Sequence, residues 1–134
     1  MRFLFLPAGV RDEIEREARR GYPYEVCGLL LGHVDATRVD VRRTLLGRNI
    51  HSTPRTAFEL DPASVLAALD GAKGLDVVGF FHSHPDRPAW PSAADDQGAW
   101  EGAVTVISAV DVHGACATRG FFFEAGGFHE LLAR

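Results

Sequence analysis

Residues 75–95 read LDVVGFFHSHPDRPAWPSAAD, an apolar β-rich run followed by two histidines and a proline-rich segment. The run from Leu75 to Phe81 predicts a buried strand that carries His82 and His84 at its end. Side chains two apart on a strand share a face, so the two imidazoles are expected to point the same way. Two imidazoles that converge from a rigid strand indicate half of a metal site.

A carboxylate for the same site is expected just downstream. Prolines 85, 88 and 91 predict a loop that does not continue the strand ladder, and Ser92 then begins a helix to about Trp100. The first turn of this helix places Asp95 beside Ser92, and Asp95 is the predicted third ligand. Two rivals exist: Asp86 lies on the loop, and Asp96 is turned about 100° away on the helix. Taken alone, the Ser92 to Asp95 spacing is that of an ordinary capping box.

The whole pattern is His-x-His, seven residues, Ser, two residues and Asp, and it resembles the motif of the JAMM (MPN+) zinc metalloprotease family. That motif also includes an upstream glutamate, which Glu25 in Tyr24-Glu25-Val26-Cys27-Gly28 matches. The Glu-x-Cys-Gly segment is most similar to the stand-alone prokaryotic members. The resemblance extends from the first helix to about Val110 and implies the MPN fold, a mixed β-sheet flanked by helices with a layout related to cytidine deaminases.

The resemblance also implies a chemistry. His82, His84 and Asp95 would hold one Zn²⁺ per chain with a fourth position open, as in catalytic rather than structural zinc sites. Glu25 would act as the general base, and Ser92 would donate to the oxyanion of the tetrahedral intermediate. The implied reaction is hydrolysis of the peptide or isopeptide bond after the C-terminal Gly-Gly of a ubiquitin-like or sulfur-carrier protein, present as a conjugate, a fusion or a cysteine adduct.

Composition limits the remaining function classes. With 134 residues, 46% of them hydrophobic, residues 1–134 are expected to form a single α/β domain. The net charge of −4 argues against a nucleic-acid partner, and the apolar runs are too short for a membrane span. Cys27 and Cys116 form no CxxC pair, which favours a reducing cytoplasm. The oligomeric state is left open, with a homodimer possible.

Periodicity and turn residues predict the other elements. Helices are expected where apolar residues recur every three to four positions, and strands where they alternate or run continuously. The predicted strands are Met1–Leu6, Val26–His33, Arg38–Leu46, Ala57–Leu60, Ala103–Val110, Ala115–Glu124 and Phe128–Leu132, and the predicted helices are Ala8–Arg20 and Pro62–Ala72.

Several residues near the motif have two interpretations. Cys27 shares a strand face with Glu25 and could approach the metal or a substrate cysteine, but a buried inert thiol is the simpler interpretation. His51 lies in a loop that could border the cleft and touch substrate. Trp90 and Trp100 are interpreted as core or loop anchors, with Trp90 a possible wall of the cleft.

The arginines are interpreted as a scattered solvated surface rather than a patch for an acidic partner: Arg42, Arg43, Arg48, Arg55 and Arg87.

Two competing functions are considered. A zinc deaminase would use His-x-Glu and a later Pro-Cys-x-x-Cys, and the chain has no CxxC. A non-catalytic MPN-type scaffold that binds a partner protein would be expected to lack at least one of the four motif residues. Glu25, His82, His84 and Asp95 are all present, which favours the enzyme.

Overall fold

The computed structural model contains seven strands and three helices within the described residues, 2–72 and 74–133. Met1, where the first strand is predicted to begin, lies outside the described residues. Most bounds agree with the sequence prediction to within one or two residues. In chain order the elements are β1 Phe3–Phe5, α1 Ala8–Gly21, β2 Cys27–Val34, β3 Arg38–Leu46, α2 Pro62–Asp70, β4 Asp76–Pro85, α3 Ala93–Gln97, β5 Val104–Val110, β6 Cys116–Glu124 and β7 Gly127–Ala133.

The strands form one mixed sheet in the order β1-β3-β2-β4-β5-β6-β7, and the sheet closes into a barrel. Closure depends on β1, which pairs in parallel with both β3 and β7. β4 and β5 are also parallel, whereas the other neighbours are antiparallel. The mixed sheet of an α/β fold was therefore expected from the sequence, and its closure was not.

The two surfaces of the central strands pack against different helices. Leu30 and Phe81 belong to the main core, together with Val10 and Ile14 of α1. Their strand neighbours Leu29, Leu31 and Phe80 belong to a second cluster with Val65 of α2. The alternation of side chains along a strand therefore assigns His82 and His84, which follow Phe80 in steps of two, to the surface on the α2 side.

β4 is longer than predicted, and the two histidines of the motif lie within it. Residues 79–85 pair in parallel with residues 104–110 of β5, and Pro85 is the last residue of the ladder. The expectation that Pro85 stops the ladder was wrong because a strand-terminal proline need not donate to it. Both histidines consequently stand on paired backbone and are fixed more rigidly than residues of a loop would be.

Two other predicted elements differ from the structure. The helix beginning after Ser92 ends at Gln97 instead of about Trp100, because Gly98 follows as its C-cap. The predicted strand Ala57–Leu60 is reduced to a single bridge between Leu60 and Asn49. The Asn49 side chain replaces strand pairing here, since it donates to the Ala57 carbonyl and accepts from the Glu59 amide.

Local sequence explains where α1 and α2 form. α1 buries Val10, Ile14 and Ala18, the face that its sequence periodicity predicts, and Arg19 and Arg20 lie in its last turn. α2 begins at Pro62, a favoured first helical residue. Within the described ranges, none of the helices is long and apolar enough to cross a membrane.

Candidate metal centre and active site

Three side chains of the sequence motif meet at one point between β4 and α3. Nε2 of His82 lies 3.2 Å from Nε2 of His84. Asp95 approaches both rings, with Oδ1 3.1 Å from Nε2 of His82 and Oδ2 3.0 Å from Nε2 of His84. All three side chains are buried or nearly so. The structure therefore brings together the three residues that the sequence predicts as metal ligands.

Hydrogen bonding fixes the orientation of His84. Its Nδ1 lies 2.8 Å from the carbonyl oxygen of Pro88. A carbonyl oxygen only accepts, so Nδ1 carries a proton, and Nε2 is the ring nitrogen that faces Asp95. With Nδ1 protonated, Nε2 is the nitrogen that would offer a lone pair to a metal ion. Such a backbone partner on the far nitrogen is also the usual support of a metal-bound histidine.

The protonation states suit cation binding. Burial lowers the pKa of His82, which keeps this imidazole neutral. Burial alone would raise the pKa of Asp95, but its hydrogen bonds with His82 and His84 outweigh this and hold the pKa below its usual range. The centre therefore combines two imidazole nitrogens with one carboxylate.

Ser92 is the N-cap of α3 and forms the predicted capping box with Asp95. The Ser92 amide donates to Oδ2 of Asp95 at 2.8 Å, and the Asp95 amide donates to Oγ of Ser92 at 3.2 Å. Since Oγ only accepts in this cap, the hydroxyl proton of Ser92 is available for another acceptor.

Glu25 is buried at the entrance of β2, beside the two histidines. One of its carboxylate oxygens lies within 4.8 Å of a ring nitrogen of each histidine, so Glu25, His82 and His84 form a second, wider grouping that could hold a metal ion. Oε2 accepts from Nη2 of Arg87, while Oε1 has no hydrogen-bond partner among the described residues. Burial raises the pKa of Glu25 to about 7, against the opposing charges of Arg87 and His84.

The side chains of Asn49 and Ser83 hold Glu25 in place. Nδ2 of Asn49 donates to the Glu25 carbonyl at 2.9 Å. Oγ of Ser83 accepts from the Val26 amide at 2.8 Å, and the Ser83 amide donates to the Val26 carbonyl. Ser83 therefore ties the entrance of β2 to the strand that carries the histidines.

We expect Ser83→Ala to lower the free energy of unfolding by about 1–3 kcal/mol, because the Val26 amide loses its partner inside the protein. Urea unfolding of the metal-free protein measures this change. Ser52→Ala, at an exposed loop position, is the matched control and is expected to have little effect. Equal stability of the two variants would show that the bond between Ser83 and Val26 contributes little.

A cleft of about 700 Å³ opens next to the centre and reaches His82 and Asp95. Its walls come from the segment before α2, from α2 itself, from β4 and from the chain after α3. Phe58 stacks on His82 with ring centroids 4.5 Å apart, and Trp100 packs edge-on against Phe80 at 5.0 Å. Apolar side chains dominate these walls: Phe58, Leu60, Val65, Leu66, Phe80 and Trp100.

The site combines two buried imidazoles, two carboxylates and an adjoining cleft. Such an arrangement can hold a metal ion and expose it to a substrate. Comparison with known proteins bears on this arrangement. Residues 7–122 match the family model that describes prokaryotic homologs of the JAB domain, called Prok-JAB.

The chain belongs to the Prok-JAB family. The sequence resemblance to stand-alone prokaryotic JAMM/MPN proteins is thereby confirmed. The chain is 42% identical over 116 residues to a protein named desampylase from Haloferax volcanii, covering 81% of each chain. It is 36% identical over 94 residues to a probable TtuB-protein conjugate cleaving protease from Thermus thermophilus, covering 69% of this chain and 60% of that protein.

Solved structures share the fold of this Prok-JAB chain. A protein from Desulfitobacterium hafniense superposes with a TM-score of 0.81 at 28% identity, covering 98% of this chain and 92% of that one. A JAB1/MPN domain protein from Archaeoglobus fulgidus superposes with a TM-score of 0.58 at 19% identity, covering 99% and 97%. The latter likeness concerns the fold, which is the MPN fold that the sequence motif implied.

The three candidate carboxylates of the Prok-JAB chain differ in their contacts. Asp86 accepts from the Tyr22 hydroxyl at 2.6 Å on the loop, and Asp96 is exposed on α3. Neither has a contact with the two histidines among the described residues, whereas Asp95 contacts both. The preference for Asp95 over its neighbours therefore agrees with the geometry.

Other residues with two interpretations can now be placed. Cys27 is fully buried, and burial raises the pKa of its thiol to about 12, which favours an inert thiol. His51 lines the cleft, as its loop position suggested. Trp100 lines the cleft as well, but Trp90 instead packs on Phe121 away from it.

Of the five arginines interpreted as scattered solvated surface, Arg87 was placed wrongly. This side chain is 30% exposed and pairs with Glu25, 62 residues away in the sequence. Nothing in the local sequence distinguishes Arg87 from the exposed arginines. Its role appears only when the loop after β4 is placed beside the entrance of β2.

Proposed function

We propose that this protein is a zinc-dependent peptidase or isopeptidase that hydrolyses the bond after the C-terminal Gly-Gly of a ubiquitin-like or sulfur-carrier protein. The observation that carries this proposal is the convergence of His82, His84 and Asp95 at one end of an open cleft, with the buried Glu25 beside them. The names of the relatives from Haloferax volcanii and Thermus thermophilus support the substrate class.

The donor atoms suit zinc. Nε2 of His82 and Nε2 of His84 lie 3.2 Å apart, close to the edge of about 3.3 Å that a tetrahedron with zinc–nitrogen bonds of about 2.05 Å has, and each nitrogen lies within 3.1 Å of one oxygen of Asp95. Two imidazoles and one carboxylate supply three ligands, so one position would stay open, as in hydrolytic zinc enzymes. We propose one Zn²⁺ per chain, held by His82, His84 and Asp95.

The bound zinc would supply the chemistry of a Lewis acid, lowering the pKa of water to about 7 and polarising the scissile carbonyl. Glu25 takes the proton of the attacking water and delivers it to the leaving amine, a role for which a pKa of about 7 is well suited. Its unpartnered Oε1 is the oxygen free to do so. The Ser92 hydroxyl, whose proton the helix cap leaves available, donates to the oxyanion.

The cleft determines how a substrate tail approaches. β4 is paired on both sides, with β2 and with β5, so it offers no free edge with which the tail could pair. We propose instead that an extended tail lies along the cleft between α2 and Trp100. Glycines at the reacting end let the scissile carbonyl approach the buried centre, which a bulky side chain would obstruct.

Cleavage of carrier fusions tests this function directly. A ubiquitin-like sulfur carrier extended beyond its Gly-Gly by a short peptide is expected to be cut immediately after the second glycine, as mass spectrometry of the products would show. Replacing the last glycine with leucine should slow the reaction strongly, because the added side chain holds the carbonyl away from the centre.

A matched fusion with the tail sequence scrambled is the control for general peptidase activity. Equal cleavage of the scrambled tail would contradict the carrier assignment and leave only a general metallopeptidase. Binding of the carrier without cleavage by zinc-loaded protein would favour the non-catalytic scaffold.

We propose that residues 1–134 form one domain, since β1 near one end pairs with β7 near the other, and that its layout is related to cytidine deaminases. A cytoplasmic location is proposed because Cys27 and Cys116 are both free thiols. The proposed partner is the carrier protein, without nucleic acid or membrane, and the oligomeric state is left open.

A further inference from the structure

The loop that joins β4 to α3 contacts the candidate site at two places. The Pro88 carbonyl accepts from Nδ1 of His84 at 2.8 Å. The preceding residue, Arg87, donates through Nη2 to Oε2 of Glu25. Two consecutive residues of one loop therefore orient a proposed ligand and the proposed base.

This loop is itself held firmly. The Asp86 side chain accepts from the Tyr22 hydroxyl at 2.6 Å, and the Asp86 amide donates to the Val110 carbonyl at 2.8 Å. Tyr22 lies three residues before Glu25, so the segment 22–25 and the loop 86–88 are joined by two side-chain contacts, Tyr22 with Asp86 and Glu25 with Arg87. The guanidinium thus reaches Glu25 from a fixed backbone rather than from a free loop.

The Arg87 contact leaves the two oxygens of Glu25 in different environments. Oε2 is occupied by the guanidinium, and Oε1 is buried without a partner among the described residues. The Glu25 side chain is only 1% exposed, so solvent does not compete for either oxygen. Arg87 is not among the residues that line the 700 Å³ cleft, which separates it from the space proposed for the substrate.

We propose that Arg87 is a positioning residue for Glu25: it holds Oε2 and so leaves Oε1 as the oxygen that accepts the proton in hydrolysis. This inference rests on the proposed function. A planar guanidinium restricts the carboxylate more than a lysine ammonium does, because an ammonium acts as a point charge on a flexible stem.

Kinetics of Arg87→Gln and Arg87→Lys test the proposal on the carrier fusion. Arg87→Gln is expected to lower kcat about 10- to 100-fold, the range for residues that orient catalytic groups, with KM within about twofold of wild type. Zinc content should not change, since Arg87 contacts none of the proposed ligands. Arg87→Lys should recover part of the loss through its charge. Arg42→Gln, which removes an arginine from an exposed ion pair with Asp40, should match wild type.

A double variant separates positioning from a general structural effect. If Arg87 acts only through Glu25, adding Arg87→Gln to Glu25→Gln causes no further loss of the residual rate. A further tenfold loss in that background, a wild-type kcat for Arg87→Gln, or a faster Arg87→Gln enzyme would each overturn the proposal. A wild-type rate for Glu25→Gln would instead overturn the proposed base, so the two failures are distinguishable.

Crystal structures of metal-free wild type and Arg87→Gln give a readout that needs no activity. The Glu25 carboxylate is expected to leave its wild-type position in the variant, while His82, His84 and Asp95 stay in place. An unchanged Glu25 carboxylate would overturn the positioning role even if the substrate proposed above proves wrong.

Discussion

Glu25→Gln is expected to lower kcat on a carrier fusion by about 100- to 10,000-fold, the range that general acid–base catalysis contributes. The amide has the shape of the carboxylate and can still accept from Arg87, but it cannot take a proton from water. Zinc content and the unfolding midpoint are expected to stay near wild type. Single-turnover kinetics on the fusion, with metal analysis of the same samples, measure these quantities.

Glu59→Gln is the matched control for this prediction. Glu59 is an exposed glutamate that lines the same cleft, so its variant removes a nearby carboxylate without touching the buried centre. Its rate is expected to stay within a few-fold of wild type. If Glu25→Gln loses zinc as well as activity, Glu25 is a ligand, as the wider grouping of Glu25 with His82 and His84 allows. If it keeps the wild-type rate, the base lies elsewhere and Asp86 is the next candidate.

The centre around His82 could be predicted because its geometry is local. A strand places His82 and His84 on one side, and the helix capped by Ser92 brings Asp95, 11 residues after His84, to them, so the spacing indicates the convergence. Glu25 was identified by its place in a known motif and not by spacing. Its burial follows from the continuous apolar run that comes after it in β2.

The other half of the site depends on contacts between distant parts of the chain. The Asn49 side chain donates to the Glu25 carbonyl and also hydrogen-bonds with the backbone on both sides of Phe58. These bonds replace the strand that the local sequence predicts at 57–60. Phe58 is thereby brought against His82. A single asparagine that satisfies several backbone groups carries no periodic signal, which is why sequence patterns did not reveal it.

Closure of the sheet was missed for a related reason. β1 contains only three residues, too few for a pattern to indicate its partners, and its two neighbours β3 and β7 lie far along the chain. Parallel pairing of short strands is specified by the surrounding core, here Leu4 packed among residues of α1, β3 and β5, rather than by the strand itself. Local patterns therefore predicted the strands and not the barrel.

The doubly substituted His82→Ala/His84→Ala chain is expected to lose its zinc and all cleavage. Wild type should hold about one zinc per chain, and removal of both imidazoles leaves Asp95 as a single protein ligand, which cannot retain the ion. Asp95→Ala should also lose most of the metal, because two nitrogens without a carboxylate complete only half of a tetrahedral site. Metal analysis after gel filtration in metal-free buffer measures zinc per chain directly.

Neighbouring residues provide the matched controls for the metal site. His51 lines the cleft and Asp96 follows Asp95 on α3, yet neither is in contact with the three converging side chains among the described residues. His51→Ala and Asp96→Ala should therefore retain zinc. Zinc loss in the other variants is then due to the missing ligands of the centre and not to the removal of a nearby carboxylate or imidazole. His82 and His84 both lie on β4, which is paired on each side. Replacing them with alanine removes no backbone hydrogen bond, so the double variant is expected to fold. Full zinc retention by the double histidine variant would therefore place the metal at another site in a protein that is still folded.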